Sequence, residues 1–285
     1  MAETTKINSL SVLLDPSGQA LLAEKYAGVI ANVQKATTSG RIKNTELSGD
    51  PTTGTVQAKR FANATSQAYG TGRTAGKGNQ IKEKDVTVPI DTDKEFIEEI
   101  EEKDISLLGV DGLLSRRANN HALRMAAELD QAFYAVGKTE GSRFTPTATA
   151  IQDIIEEAIV AFETMQTNYI DGLDRSMLAI TMSPQTYSKM RSYLDTVVNT
   201  NVDTTSEEFF VFHGVEVYSS TRLPSGVDFE IMMKGSIAQP VMSKPYSAEK
   251  IPLSEAFAVE LFFYYGTKAV TPETIMWYSS TLATS

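Results

Sequence analysis

The chain has 285 residues, 41% of them apolar and 22% charged, which supplies a sizeable core and argues against wholesale disorder. Its net charge of −10, from 26 Lys and Arg against 36 Asp and Glu, excludes a plain nucleic-acid binder, because phosphate neutralisation supplies most of such a protein's affinity. The absence of cysteine excludes disulfides, thiolate zinc sites and cysteine nucleophiles, and no run of about 18 apolar residues exists to span a membrane.

Met1–Lys6 is polar and no apolar stretch follows it, so no secretory signal is expected. With Met1 first, the expectation is also that no N-terminal pro-segment has been lost. Residues 7–35 carry an irregular apolar pattern interrupted by Pro16 and Gly18. It predicts an extended arm and then a helix over 19–34, with Leu22, Tyr26, Val29, Ile30 and Val33 on one face. Ordinary core accounts for the same stretch as well. Residues 36–55 are rich in Thr, Ser, Gly and Asn and read as a connector, with a turn from Asp50-Pro51 to Gly54.

Residues 55–91 read as two strands, Val56–Phe61 and Lys82–Ile90, with Val86, Val88 and Ile90 on one face of the second. Between them Ala68–Asn79 (AYGTGRTAGKGN) is a glycine-rich, basic tip. A two-stranded hairpin is marginal in water, so this one is expected to need a partner surface. The tip does not make a phosphate-binding loop. Gly76-Lys77 is followed by Gly78 where Ser or Thr is required, and position 71 is Thr where the first Gly belongs. Gly70-Thr71-Gly72-Arg73-Thr74-Ala75 matches a loose GxGxxA, but no helix follows to hold a pyrophosphate.

Acidic side chains crowd the next stretch, at Glu95, Glu98, Glu99, Glu101, Glu102 and Asp104. They read as a solvated face near a helix N-terminus, where the helix dipole favours negative charge. A calcium loop would need alternating oxygen ligands about a central Gly, and none is present. A long helix over 111–136 follows from the stripe Leu114, Ala118, Ala122, Met125, Leu129, Phe133, Val136, with Gly137 as its stop. Arg116, Arg117 and Arg124 give this helix a basic patch, able to pair with the acidic run, a neighbouring subunit or nucleic acid.

A second helix is predicted over 150–168, with Thr149 and Gln152 as a capping box. A buried strand follows at Met177–Met182, and Ser183-Pro184 opens a third helix that runs to about 198. Beyond it the chain reads as strands at 209–212, 214–218, 231–233, 256–265 and 274–278. Strands and helices mix without βαβ alternation, which gives an α+β class. His121 and His213 are the only histidines. Neither has a ligand-spaced partner, and no GxSxG elbow accompanies them, so no catalytic, cofactor-binding or metal residue is assigned.

The order of elements resembles the Hong Kong 97-type capsid fold of tailed-bacteriophage major capsid proteins. Ala126–Phe133 ending in Gly137 resembles the end of that family's spine helix. Ala179–Tyr187 resembles a strand-then-helix of its axial domain. Gly214–Ser220 leading to Leu223-Pro224 resembles a later strand and turn. The resemblance implies an N-terminal arm at 1–50, an extended E-loop hairpin at 51–92, a peripheral domain with the spine helix at 93–144, an axial domain at 145–240, and a return to the peripheral domain at 241–285. It implies a structural protein, not an enzyme, that assembles as hexamers and pentamers into an icosahedral head around double-stranded DNA. It also implies a separate scaffolding protein and a portal as helpers, no cofactor and no membrane contact. The location is the virion, with assembly in the host cytoplasm. Candidate intersubunit contacts are Arg60, Arg73, Lys77, Glu98, Glu99, Glu102, Arg116 and Arg117. An encapsulin-like shell around enzyme cargo shares the fold. A monomeric cytosolic enzyme with a mobile lid at 66–80 is the third reading.

Overall fold

The computed structural model describes residues 9–64, 66, 68–70, 83–105, 108–196 and 209–281. The chain divides into two compact units. The first comprises Met1–Arg41, Ile90–Asp130 and Pro240–Gly266, and the second Ile42–Pro89, Gln131–Gln239 and Thr267–Ser285. The chain therefore passes between the units at residues 42, 90, 131, 240 and 267.

The first unit is a sheet with helices on one face. A 3-10 turn at Leu10–Leu14 buries Leu10 and Leu13, and helix α1 (Pro16–Ala36) follows at once. The helix therefore begins earlier than the predicted residue 19. Pro16 is at its first turn, where a missing N–H costs nothing and the fixed φ suits a helix, so it opens the element it was expected to interrupt. Leu22, Val29 and Val33 are buried as the helical period requires. Helix α2 (Gly109–Glu140) runs parallel to α1 through its portion in this unit. Lys25 Nζ lies 2.6 Å from Asp111 Oδ1, and Asn32 Nδ2 donates to Asn119 Oδ1 at 3.3 Å. Asp130, itself buried, accepts from the Thr38 amide and hydroxyl, both at 3.2 Å, and from the Ser39 amide at 3.0 Å. Those amides begin the helical turn Ser39–Ile42 and would otherwise lack partners.

The acidic run is not the lead-in to a helix that its charge suggested. Thr92–Ile100 forms strand β3, paired antiparallel along its whole length with β12 (Phe257–Tyr265). The other edge of β12 pairs with β10 (Val241–Ser243) and β11 (Ser247–Lys250). Strict alternation in β12 buries Phe257, Val259, Leu261, Phe263 and Tyr265 beneath the helices.

The second unit holds the hairpin base, β1 (Thr55–Phe61) and β2 (Glu83–Pro89), in register from Thr55↔Pro89 to Phe61↔Glu83. The expected turn precedes it: Asp50 accepts from the Thr52 amide at 2.9 Å, and Gly54 takes φ 82°. Val56, Ala58 and Val88 are buried with Ala238 and Val270, so the base has its own small core. The tip, including Arg73 and Lys77, lies outside the described residues.

The main sheet of this unit comprises β4 (Ser142–Arg143), β5 (Leu178–Met182), β6 (Val211–Phe212), β7 (Val215–Ser219), β8 (Phe229–Met233) and β14 (Ile275–Tyr278), in the order β4-β14-β8-β5-β7-β6. Two short strands, β9 (Ile237–Ala238) and β13 (Lys268–Ala269), pair separately. Helices α3 (Ile151–Glu163) and α4 (Pro184–Thr196) close the core. Ile155, Ala158, Ile159 and Phe162 pack with the fully buried β5 and with Met190. Ser183 caps α4 as expected, accepting from the Thr186 amide at 3.2 Å. Thr149 does not cap α3. Ala150 stands at its start, and Glu157 instead accepts the Thr147 amide at 2.8 Å and the Ala148 amide at 3.2 Å.

Gly137 does not stop α2, which runs on to Glu140. The glycine serves a close approach. A Cβ there would collide with the carboxylate of Glu230 on β8. Glu230 has no exposed surface, and neither of its carboxyl oxygens has a hydrogen-bond partner among the described residues. Burial pushes its carboxyl well above the usual carboxylate range, against the weaker pull of the Lys138 ammonium.

Gly137→Ala is expected to cost about 1–3 kcal/mol by overpacking. In a Glu230→Ala background, where the colliding group is gone, it should cost less, as a double-mutant cycle of denaturant midpoints will read. Above the ordinary carboxylate pKa the unfolded chain releases a proton that folded Glu230 retains, so stability is lost as pH rises toward the folded value. Glu230→Gln removes that loss. Its Tm relative to wild type should rise between about pH 4.5 and pH 8, by about 2–4 °C for each kcal/mol recovered.

Candidate intersubunit surfaces

Period-two alternation decides what β3 offers. Phe96, Glu98 and Ile100 point toward α2, while Asp93, Glu95, Ile97 and Glu99 point away and are exposed. Beneath the strand, Phe96 stacks on His121 at 4.8 Å between ring centres, and Phe263 stacks on Phe96 at 5.6 Å. Glu98 takes the Arg117 guanidinium as a fork, with Nε 2.7 Å from Oε2 and the second nitrogen on Oε1. His121 Nε2 stands 3.2 Å from Oε1, angled off the line of a hydrogen bond, and its Nδ1 shares a 2.7 Å hydrogen bond with the Tyr246 hydroxyl. Burial works against the Glu98 charge, yet Arg117 and then His121 overcome it and hold the carboxyl below its usual range. Burial, and then the Glu98 charge, push the Tyr246 phenol upward.

The candidate contacts therefore separate. Glu98 and Arg117 satisfy each other inside the first unit. Glu99 and Glu102 are exposed and carry no cation among the described residues, and Arg116 is exposed and carries no anion. Arg60 is only 8% exposed. It pairs with Glu273, and its guanidinium carbon lies 4.2 Å above the Tyr169 ring. Arg73 and Lys77 lie outside the described residues.

Arg60 lines an open groove of about 810 Å³ beside the hairpin base, with Lys43, Lys59, Lys234, Glu46, Asp171 and the exposed Phe61 and Met177. Burial pushes the Lys43 ammonium down, and its Nζ donates to the Gln239 carbonyl at 3.3 Å. Lys234 pairs with Glu216 at 2.7 Å. The groove contains no histidine. Among the described residues no three His, Asp or Glu side chains converge as metal ligands, and no helix is long and apolar enough to cross a membrane.

The sequence reading missed a second polar cluster. His213 at φ 47° and Gly214 at φ 90° make the two-residue turn between β6 and β7. Arg175 locks that turn to α3. It donates to Glu163 at 2.8 and 3.0 Å, to Glu156 at 2.7 and 3.3 Å, and to the His213 carbonyl at 3.1 Å. His213 Nδ1 lies 2.6 Å from Glu156 Oε2. The His-Gly pair was visible as a turn signal, but the convergence of Glu156 and Glu163, a helical turn or two apart, on an arginine beyond the helix was not.

No family profile and no curated protein sequence matches the chain. Solved structures do match in fold. A capsid structure of the cyanophage P-SCSP1u aligns at TM-score 0.63 with 15% identity, over 87% of this chain and 89% of that one. The capsid of Ralstonia phage GP4 aligns at 0.57 with 12% identity, over 81% and 85%. A virus-like particle from Pyrococcus furiosus aligns at 0.52 with 11% identity, over 90% and 98%. The chain has the fold of shell-forming capsid proteins. That fold is the α+β Hong Kong 97-type expected from the order of its elements.

Arg117→Met is expected to lower stability by about 1 kcal/mol at pH 7, the scale of a half-exposed ion pair. The loss should fade at pH 4 and below. A carboxyl held below its usual range stabilises above the unfolded value and ceases to do so as pH falls through the folded one. Urea midpoints at the two pH values read both effects.

Proposed function

We propose that the chain is the major capsid protein of a tailed bacteriophage, which assembles as hexamers and pentamers into an icosahedral head around double-stranded DNA. The observation that carries this reading is the fold shared with capsid structures over more than four fifths of both chains. In this reading the chain works by assembly and not by catalysis. Residues 1–50 are the arm, 51–92 the E-loop, 93–144 and 241–285 the peripheral domain and 145–240 the axial domain. A scaffolding protein and a portal assist, and the mature location is the virion. The basic hairpin tip with Arg73 and Lys77 has a complementary surface in the exposed Glu99 and Glu102 of a neighbouring copy. Association costs conformational entropy, which burial between subunits repays only when many contacts form together.

An encapsulin-like shell around protein cargo is the second reading, since the same fold also forms the virus-like particle from Pyrococcus furiosus, matched along nearly that whole chain. The contents of purified particles, DNA or protein, decide between the two. The enzyme reading finds little support, since the groove beside the hairpin presents arginine and lysine tied to Glu273 and Glu216 and no histidine to move a proton.

Deleting Ser66–Gln80 from the full chain, expressed with its scaffolding protein, should leave a folded subunit by circular dichroism and abolish closed shells in negative-stain images. Intact shells, or an unfolded subunit, would overturn the docking role. Wild-type protein that stays monomeric under the same conditions would overturn the capsid reading itself.

A further inference from the structure

The charge of the first unit is sorted between its two sides. The sheet side exposes Asp93, Glu95 and Glu99 from β3, with Glu260 beside them on β12. The helix side is opposite in character. The sequence has no Asp or Glu from Lys25 to Thr45, nor from Gly112 to Ala127, although the chain carries 36 of them. They include Lys25–Ala36 of α1, beyond the exposed Glu24, and the part of α2 up to Ala127, and these two helices lie parallel on the sheet. Their outward positions present Lys35, Arg116 and Arg124, all exposed and all without an anionic partner among the described residues. Eight helical residues place Arg116 and Arg124 about 12 Å apart along one side of α2. Between and beside them stand Asn119 and Asn120 on α2, and Ala27, Gly28, Ala31 and Asn32 on α1. Asp111, paired with Lys25, closes the face at one end, and Glu128, paired with Lys94, closes it at the other.

We infer that this helix face is a sequence-independent contact surface for the phosphodiester backbone of duplex DNA. Unpaired arginine and lysine with amide donors among small side chains suit phosphate oxygens, which accept hydrogen bonds and demand no apolar pocket. A protein partner would call for buried aromatic or methionine anchors, and Leu123 is the one large apolar side chain exposed on the helices' side of α2. The inference deepens the capsid reading: it assigns the helix side to the packaged polymer and the acidic sheet side to the exterior. It also reconciles a chain of net charge −10 with a DNA cargo, because the sheet face repels the polymer while a confined patch meets it.

The test uses full-length, unassembled protein and a fluorescent 30-base-pair duplex of arbitrary sequence, with anisotropy measured from about 25 to 200 mM NaCl, the range in which phosphate contacts govern affinity. Wild type should bind with a steep salt dependence and no sequence preference. The triple variant Lys35→Ala, Arg116→Ala, Arg124→Ala should bind at least about tenfold more weakly at the lowest salt, with a log–log salt slope smaller by about 2–3, near 0.9 for each lost phosphate contact. Lys244→Ala, beside Tyr264 on the sheet side, should change neither value. No binding by wild type, or an unchanged slope in the triple variant, overturns the inference. So does loss of assembly in the triple variant with DNA binding intact, which would make the face a protein contact. Negative-stain images of the same preparations report on shell formation separately, so a failure of the capsid reading is distinguishable from a failure of the DNA surface.

Discussion

Nine consecutive residue pairs tie Thr92–Ile100 to Phe257–Tyr265, and the two-residue period of those strands decides most of the side-chain placement in the first unit. With this register, Phe96, Glu98 and Ile100 go beneath α2, where Glu98 meets Arg117 and His121. Asp93, Glu95, Ile97 and Glu99 go to the open side. A slip of one residue would bury Glu95 and Glu99 against Leu114 and Ala118 and send Phe96 to solvent. The apolar alternation of β12 forbids it, because every second side chain of that strand already belongs to the core.

Helical periodicity made much of the fold legible in advance. The stripe from Leu114 to Phe133 identified α2, and the almost wholly apolar run of β5 identified a buried strand. The charged strand β3 was not legible. Its acidic residues occupy both faces, and the signal that it is a strand sits in β12, more than 150 residues later in the chain. Local rules also misread both Pro16 and Gly137 as breaks. Each is a fitting device instead: one opens α1, and the other lets α2 pass over Glu230. The candidate contacts divided along the same line. Arg60, Glu98 and Arg117 look like free surface charges in sequence, and only the tertiary structure pairs them within the subunit. Arg116 is separated from Arg117 by a single step around the helix, which is enough to take it out of reach of Glu98.

Glu230 departs from the general economy of the second unit. Strand β5 beside it is apolar but for Thr181, whose hydroxyl shares a 3.2 Å hydrogen bond with that of Tyr134. Burying a carboxyl with no partner among the described residues is costly, and that cost favours its neutral form. The sequence signal was present, a single Glu inside Phe229–Met233, but charge inside an apolar run is more often placed on a solvent face than in the core.

The clasp at Asp130 has a mechanical consequence. Its carboxylate holds Thr38 and Ser39 by three hydrogen bonds at once, just beyond the end of α1. Tension applied to the chain at residue 40 must stretch all three together, since they share one rigid carboxylate, whereas bonds arranged in series along a strand edge would break in succession. Charge-assisted bonds are also about twice as strong as neutral ones. The N-terminal helix is thus riveted to α2 at its C-terminal end, at the point where the connector begins.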